Sequence, residues 1–203
     1  TNSTARWNKM GGIRITAGAL KGRVIPFDNR KFDNADITPQ KVKGALFSMI
    51  GEWLHGRGFL DLFAGSGQIG IEALSRGAHP VVFNENDNKR HHFIKSYIDG
   101  LGLEKPPLVL NLPADRALAL LGSGGHVFEY VFLDPPYVKA KEGVSCHREL
   151  LGGIAASGIL PETGEIIIQH FSGNTMSEEI DPYRLKGTKI YGKTALSVYG
   201  ILQ

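Results

Sequence analysis

Residues 131–139 read VFLDPPYVK. Three apolar residues run into a carboxylate, two prolines and an aromatic ring. Proline cannot donate a ladder hydrogen bond and restricts the residue before it, so the strand must stop at Asp134. A turn that only reversed the chain would more usually carry Gly or Asn. The chemistry this ending suits is activation of a planar amine. An exocyclic amine on a nucleobase is a poor nucleophile because its lone pair is conjugated with the ring. Acceptors aimed at its hydrogens localise that pair toward an electrophilic carbon. The Asp134 carboxylate supplies one acceptor and the Pro135 carbonyl another. Pro135 and Pro136 hold both in place, which is positional catalysis. Tyr137 offers a flat face for a base, a contact worth roughly 1–3 kcal/mol. The competing reading is a rigid turn with a packed tyrosine.

A second chemical signature lies upstream in LDLFAGSGQIG, where Gly65, Gly67 and Gly70 form a G-x-G-x-x-G pattern. Twenty residues beyond Gly65 stands Glu85. Between a strand and a helix, such glycines let the backbone approach a nucleoside, and an acid at this interval suits ribose hydroxyls. A dinucleotide would set its pyrophosphate on the helix N-terminus. S-adenosylmethionine has no phosphate but carries a sulfonium and an ammonium, and Asp61 is placed to meet a cation. That favours S-adenosylmethionine over NAD. Asp61 could equally order the loop through backbone N–H groups, and the loop could be a tight turn without a ligand.

These residues need a scaffold that brings strand ends together. Apolar stretches FLDLF, PVVFN, PLVLN, EYVFL and GEIIIQH alternate with helical patterns QIGIEALSR, NKRHHFIKSYIDGL, ADRALALLG and HRELLGGIAAS. Strands alternating with helices predict a mostly parallel sheet in a three-layer α/β sandwich. TKIYGKTALSVYGIL predicts a closing hairpin and hence an antiparallel strand at the end of the order. Near the start, IRITAG and RVIPF predict a small hairpin. A helix is expected from Thr38-Pro39, capped by the threonine, with Val42, Leu46, Met49 and Trp53 along one face.

The formal net charge of +3 conceals an asymmetry: residues 1–43 carry +6 and the remainder −3. A basic arm on a mildly acidic body suggests an anionic partner, against the alternative of a solvated leader. Arg14, Lys21, Arg23, Lys41 and Lys43 flank predicted ordered elements and are the expected phosphate contacts. The organisation expected is a leader over 1–12, a basic hairpin and loop over 13–37, and the main domain over 38–203. Cys146 is the single cysteine, and none of the seven histidines falls in a cluster with metal-ligand spacing, so no metal is expected. No apolar run approaches membrane-spanning length. These features predict a cytoplasmic monomer.

DPPY after an apolar strand resembles the motif of amino-directed N-methyltransferases. Together with LDLFAGSGQIGIEALSRGA, an early KGR and the closing YGKTALSVY, it resembles the bacterial family that methylates guanine N2 in 16S ribosomal RNA. The resemblance runs from about Ile13 to the end. It implies a Rossmann-like class I methyltransferase fold, S-adenosyl-L-methionine as cofactor, and ribosomal RNA or the assembling small subunit as partner. It places Asp61, Phe63, Ala64, Gly65, Ser66, Gly67, Glu85, Asn86, Ala114 and Asp115 around the cofactor, and Asp134, Pro135, Pro136 and Tyr137 around the target base. Where the family commonly has Arg-Pro-Thr before the first helix, this chain has Asp36-Ile37-Thr38. Where it has an acid or amide before alanine, this chain has Pro113-Ala114, with Asp115 next. Asp115 is read either as an adenine contact or as a helix cap. Competing functions are methylation of adenine or cytosine amino groups in DNA or another RNA, methylation of a protein glutamine amide, a nicotinamide oxidoreductase, and an idle RNA-binding module.

Overall fold

The computed structural model describes residues 12–33, 37–136 and 140–202. In chain order the elements are β1 (Ile13–Arg14), β2 (Val24–Ile25), α1 (Gln40–Ile50), β3 (Phe59–Asp61), α2 (Gln68–Ser75), β4 (Val81–Asn84), α3 (Asn88–Asp99) and β5 (Leu108–Leu110). They continue with α4 (Ala114–Ser123), β6 (Tyr130–Leu133), α5 (Ala140–Ser157), β7 (Glu165–Phe171), β8 (Glu179–Ile180), β9 (Tyr183–Tyr191) and β10 (Thr194–Ile201).

The eight-stranded sheet has the order β5-β4-β3-β6-β7-β10-β9-β8. Strands β5 to β7 in that row are mutually parallel, and β10 lies antiparallel between β7 and β9. Because successive strand residues point to opposite faces, the core divides into two. Phe59, Phe83, Phe132 and Ile167 meet Leu46 and Phe47 of α1, Ile69 of α2 and Ile94 of α3. Leu60, Val82, Val131 and Ile166 meet Leu118 of α4 and Ile154 of α5. This is the expected Rossmann-like sandwich with helices on both faces. The strand order reverses between β3 and β6, and ligands of such sheets bind beyond the carboxyl ends at that point.

The N-terminal hairpin forms, but each strand has only two residues, paired Ile13 to Ile25 and Arg14 to Val24. The intervening chain turns instead to α2. The backbone N–H groups of Thr16 and Ala17 donate to Glu72, and the Ala19 N–H donates to the Ser75 carbonyl at 2.7 Å. Gly18 sits at φ +80 so close to Ser75 that a Cβ there would lie 1.7 Å from its carbonyl oxygen, so only glycine fits. Ile13, Ile15, Ile25 and Phe27 join the same core as α1–α3.

Three local expectations change. Helix α1 begins at Gln40, with Pro39 in the cap position and no side-chain cap bond; the Thr38 hydroxyl donates to Asp134 Oδ2 at 3.4 Å instead. The helix ends before Gly51, whose φ is +105. Trp53 is therefore off its apolar face, 57% exposed, and stacked on His55. Helix α5 begins at Ala140, seven residues before its expected start, and the short edge strand β8 was not anticipated.

Candidate active site

Asp61 closes β3, and the chain then wraps as the glycine loop into α2. The three glycines do different work. A Cβ on Gly65, at φ +54, would meet nothing within 4 Å, so this backbone faces open space. Gly67 caps α2 in the left-handed region at φ 75. A Cβ on Gly70 would lie 2.2 Å from the Phe83 ring, so this glycine lets α2 pack on β4.

Two carboxylates shape the loop. Asp61 Oδ2 accepts the Gly70 N–H at 2.9 Å, which is the loop-ordering role. Its Oδ1 is buried with no hydrogen-bond partner among the described residues, which leaves one oxygen for a ligand. Burial, opposed by the Gly70 bond and reinforced by the Asp134 and Glu85 carboxylates, pushes the Asp61 carboxyl up to about 7. Glu85, just beyond β4, accepts the Gly65 N–H at 2.7 Å on Oε2 and the Asp87 N–H and Arg90 guanidinium on Oε1. Three of a carboxylate's four or so acceptor positions are thus filled.

Asp61, Phe63, Ala64, Gly65, Ser66 and Asp134 line one pocket, together with Thr38 and Gln68. The first six are among the residues expected at the cofactor or the target base. Asp134 follows β6 directly, and the Asp61–Phe132 pairing sets the two strand ends side by side. Pro135 is buried and Pro136 exposed. Tyr137 lies outside the described residues, as do Asp36 and residues 1–11 of the expected leader.

Gln169 of β7 is the residue that sequence reasoning missed. It is buried, and its amide Nε2 donates to Asp134 Oδ2 at 2.7 Å. That bond fixes the carboxylate from the neighbouring strand. Its only sequence signal is an amide that follows the apolar run III within the strand. Asn84 and Asn111 were also missed. Asn84 donates to the Leu62 and Leu112 carbonyls, and Asn111 donates to those of Glu85 and Asn86, pinning the strand ends together.

Gly67, Glu85, Asn86, Ala114 and Asp115 fall outside the pocket lining given by the described residues. Asp115 is exposed in the first turn of α4, whose cap position is Pro113, so the capping role is not its own.

Of the expected phosphate contacts, Arg14, Lys21, Arg23 and Lys41 are exposed. Lys43 is not. Its ammonium is fully buried, 2.9 Å from Glu72 and 2.7 Å from the Arg14 carbonyl. The expectation for Lys43 is therefore corrected: it ties the hairpin to α1 and α2. Glu72 also takes the Arg76 guanidinium at 3.1 Å and the Thr16 hydroxyl at 2.6 Å. Burial raises the Glu72 carboxyl, but the Thr16 and Lys43 bonds outweigh it and hold it below its ordinary value. Among the described residues no group of acids, histidines and cysteines could hold a metal ion, and no helix is long and apolar enough to cross a membrane.

Residues 13–200 match the family model described as conserved hypothetical protein 95. The chain is 34% identical over 187 residues to the Bacillus subtilis protein YlbH, covering 92% of this chain and 98% of that one. It is 26% identical to the Escherichia coli ribosomal RNA small subunit methyltransferase D, over 93% of this chain and 90% of that one. A solved structure of a Streptococcus pyogenes conserved hypothetical protein superposes with a TM-score of 0.67 at 34% identity, over 79% of this chain and 95% of that one.

Proposed function

Because this chain belongs to the conserved hypothetical protein 95 family, we propose that it transfers a methyl group from S-adenosylmethionine to the exocyclic N2 amine of a guanine in 16S ribosomal RNA. The observation that carries the reading is that the Asp134 carboxylate, the Gly65–Ser66 backbone and the Asp61 carboxylate line one pocket. The relationship to an enzyme named for ribosomal RNA methylation supports the substrate class.

The residues present fit the donor. The unpartnered Asp61 Oδ1 suits a cation, and the open space over Gly65 admits a nucleoside. S-adenosylmethionine, when bound, supplies a methyl group on a cationic sulfur. Asp61 neutralises ligand charge, and Glu85 holds Gly65 in place with one acceptor position left for a ribose hydroxyl. Phe63, Ala64, Ser66 and Gly67 complete the loop, and Asn86, Ala114 and Asp115 are assigned to the nucleobase end of the donor. Asp134 and the Pro135 carbonyl accept from the target amine and aim its lone pair at the methyl carbon. S-adenosylmethionine would supply the methyl carbon and leave as the neutral thioether, and the Asp134 carboxylate would take the proton the amine gives up. Gln169 and Thr38 keep Asp134 Oδ2 fixed through this step. Tyr137 stacks on the base.

The test is to incubate the protein with labelled donor and small ribosomal subunits, digest the RNA and identify the labelled nucleoside. N2-methylguanosine is the expected product. Label on adenine or cytosine, or none, overturns the reading. Asp134→Ala should lower kcat on the order of 10²–10³-fold while donor affinity stays within about twofold, since the carboxylate acts in the chemical step. Tyr137→Phe should keep most activity and Tyr137→Ala should not.

A further inference from the structure

We propose that the β7–β10–β9 end of the sheet is a second RNA-binding surface, which receives the unpaired nucleotides next to the target base. This rests on the functional reading above. The starting point is the side of the sheet on which Gln169 reaches Asp134. In antiparallel pairs, directly opposite residues share a face. Gln169 faces Leu196, and Leu196 faces Lys189. One step toward the rim, Phe171 faces Thr194, and Thr194 faces Tyr191. Since alternate strand residues also share a face, Gln169, Phe171, Thr194, Tyr191 and Lys189 form one continuous shelf. It begins at the catalytic carboxylate and leads away from the glycine loop.

The shelf has the chemistry of a single-strand binder. Phe171 is 43% exposed on this side of the sheet. Its ring lies against Gly173, where a Cβ would come within 2.5 Å of it. Tyr191 is half-buried one strand further on, across Thr194 of β10, and Lys189 and Lys193 are exposed. Residues 186–193, KGTKIYGK, hold three lysines and no acid, and residues 170–175, HFSGNT, hold no acid either. Lys186 pairs with Glu165 at 2.9 Å. Among the described residues Lys189 and Lys193 make no ion pair. An exposed aromatic flanked by free cations fits bases and phosphates, and not an apolar protein partner. Need and supply also agree. A guanine amine reaches Asp134 only when the base is splayed from its neighbours, and those neighbours then lack stacking partners, which Phe171 and Tyr191 provide.

The experiment compares the parent with Phe171→Ala, Phe171→Trp and the double variant Lys189→Ala/Lys193→Ala. Methylation of small ribosomal subunits and RNA affinity are measured at several salt concentrations, and donor affinity serves as the folding control. Phe171→Ala should raise KM for RNA about tenfold, and Phe171→Trp should restore it. The lysine pair should flatten the plot of log affinity against log salt by about 1.4, or about 0.7 per phosphate on a single strand. A parent that methylates RNA alongside variants with unchanged KM and slope overturns the surface alone. A parent that methylates no RNA overturns the functional reading, and the surface with it.

Discussion

The loop-ordering role of Asp61 and its proposed ligand role, rivals in the sequence, use different oxygens. One oxygen orders the loop through Gly70, and the other stays unpartnered in the pocket. The cost is visible in its titration. A carboxyl raised from 3.8 to about 7 by burial binds a proton in the folded state that the unfolded chain has already lost. Its contribution to stability is therefore fully present below about pH 4 and is lost as pH rises through 7. Asp61→Asn keeps the Gly70 bond and removes the charge. It should match the parent near pH 3 and exceed it at pH 8 by roughly 2–4 kcal/mol, while binding S-adenosylmethionine more weakly. Denaturant midpoints at the two pH values, with calorimetry of the donor, check both halves. Equal losses of stability at both pH values would refute the assignment. Gln169 marks the limit of reading at this scale. Asp134 was legible because proline chemistry is local. Its partner sits 35 residues away on another strand, and no spacing rule links them.

Among the elements, strands and helices were legible wherever period and punctuation agreed: β3, β4, β6, α2 and α3 fall within a few residues of their expected bounds. The misses occur where a distant partner overrode a local preference. Thr38 had the right side chain for a cap but gives its hydroxyl to Asp134. The β1 and β2 strands stay short because Thr16 and Ala17 bond Glu72 of α2. Lys43 is the plainest case. In α1 the buried positions include Val42, Lys43, Leu46, Phe47 and Ile50, so a lysine sits inside the apolar stripe because Glu72 waits there. Breaking a buried pair on one side leaves the other charge uncompensated, so Lys43→Ala should lose about 3–5 kcal/mol. Lys43→Met should lose less, because it refills the space and Glu72 keeps Arg76 and Thr16. Its RNA affinity should show the parent's salt dependence, whereas Lys41→Ala should flatten it. Thermal unfolding and salt titration of the three variants separate the structural lysine from the exposed one. A Lys43→Met protein with a flattened salt slope would return Lys43 to the RNA contacts.

Across the whole molecule, the charge asymmetry acquires a direction. The hairpin is packed on the same face of the sheet as α1, through Ile13, Ile15, Ile25 and Phe27, and Glu72 and Ser75 anchor its connecting segment to α2. Arg14, Lys21, Arg23 and Lys41 are therefore exposed cations on ordered elements. Tyr191 packs against that same core, so the β9–β10 shelf lies on this same face of the sheet. A bound RNA would run across one side of the protein, with its target base turned over the rim at Asp134. Phosphate contacts position without reading sequence, and each releases counterions. Replacing Lys21 and Arg23 together by alanine should flatten the salt dependence of RNA binding by about 1.4–1.8. Donor affinity should hold, since neither side chain lines the pocket. Stability should barely change, because both side chains are exposed. Combining these changes with Lys189→Ala/Lys193→Ala should sum the two effects on the slope, because the sites share no residues. RNA affinity measured for the parent, each double variant and the quadruple variant decides it. A quadruple variant no flatter than either double would mean that the two basic regions never hold the same RNA.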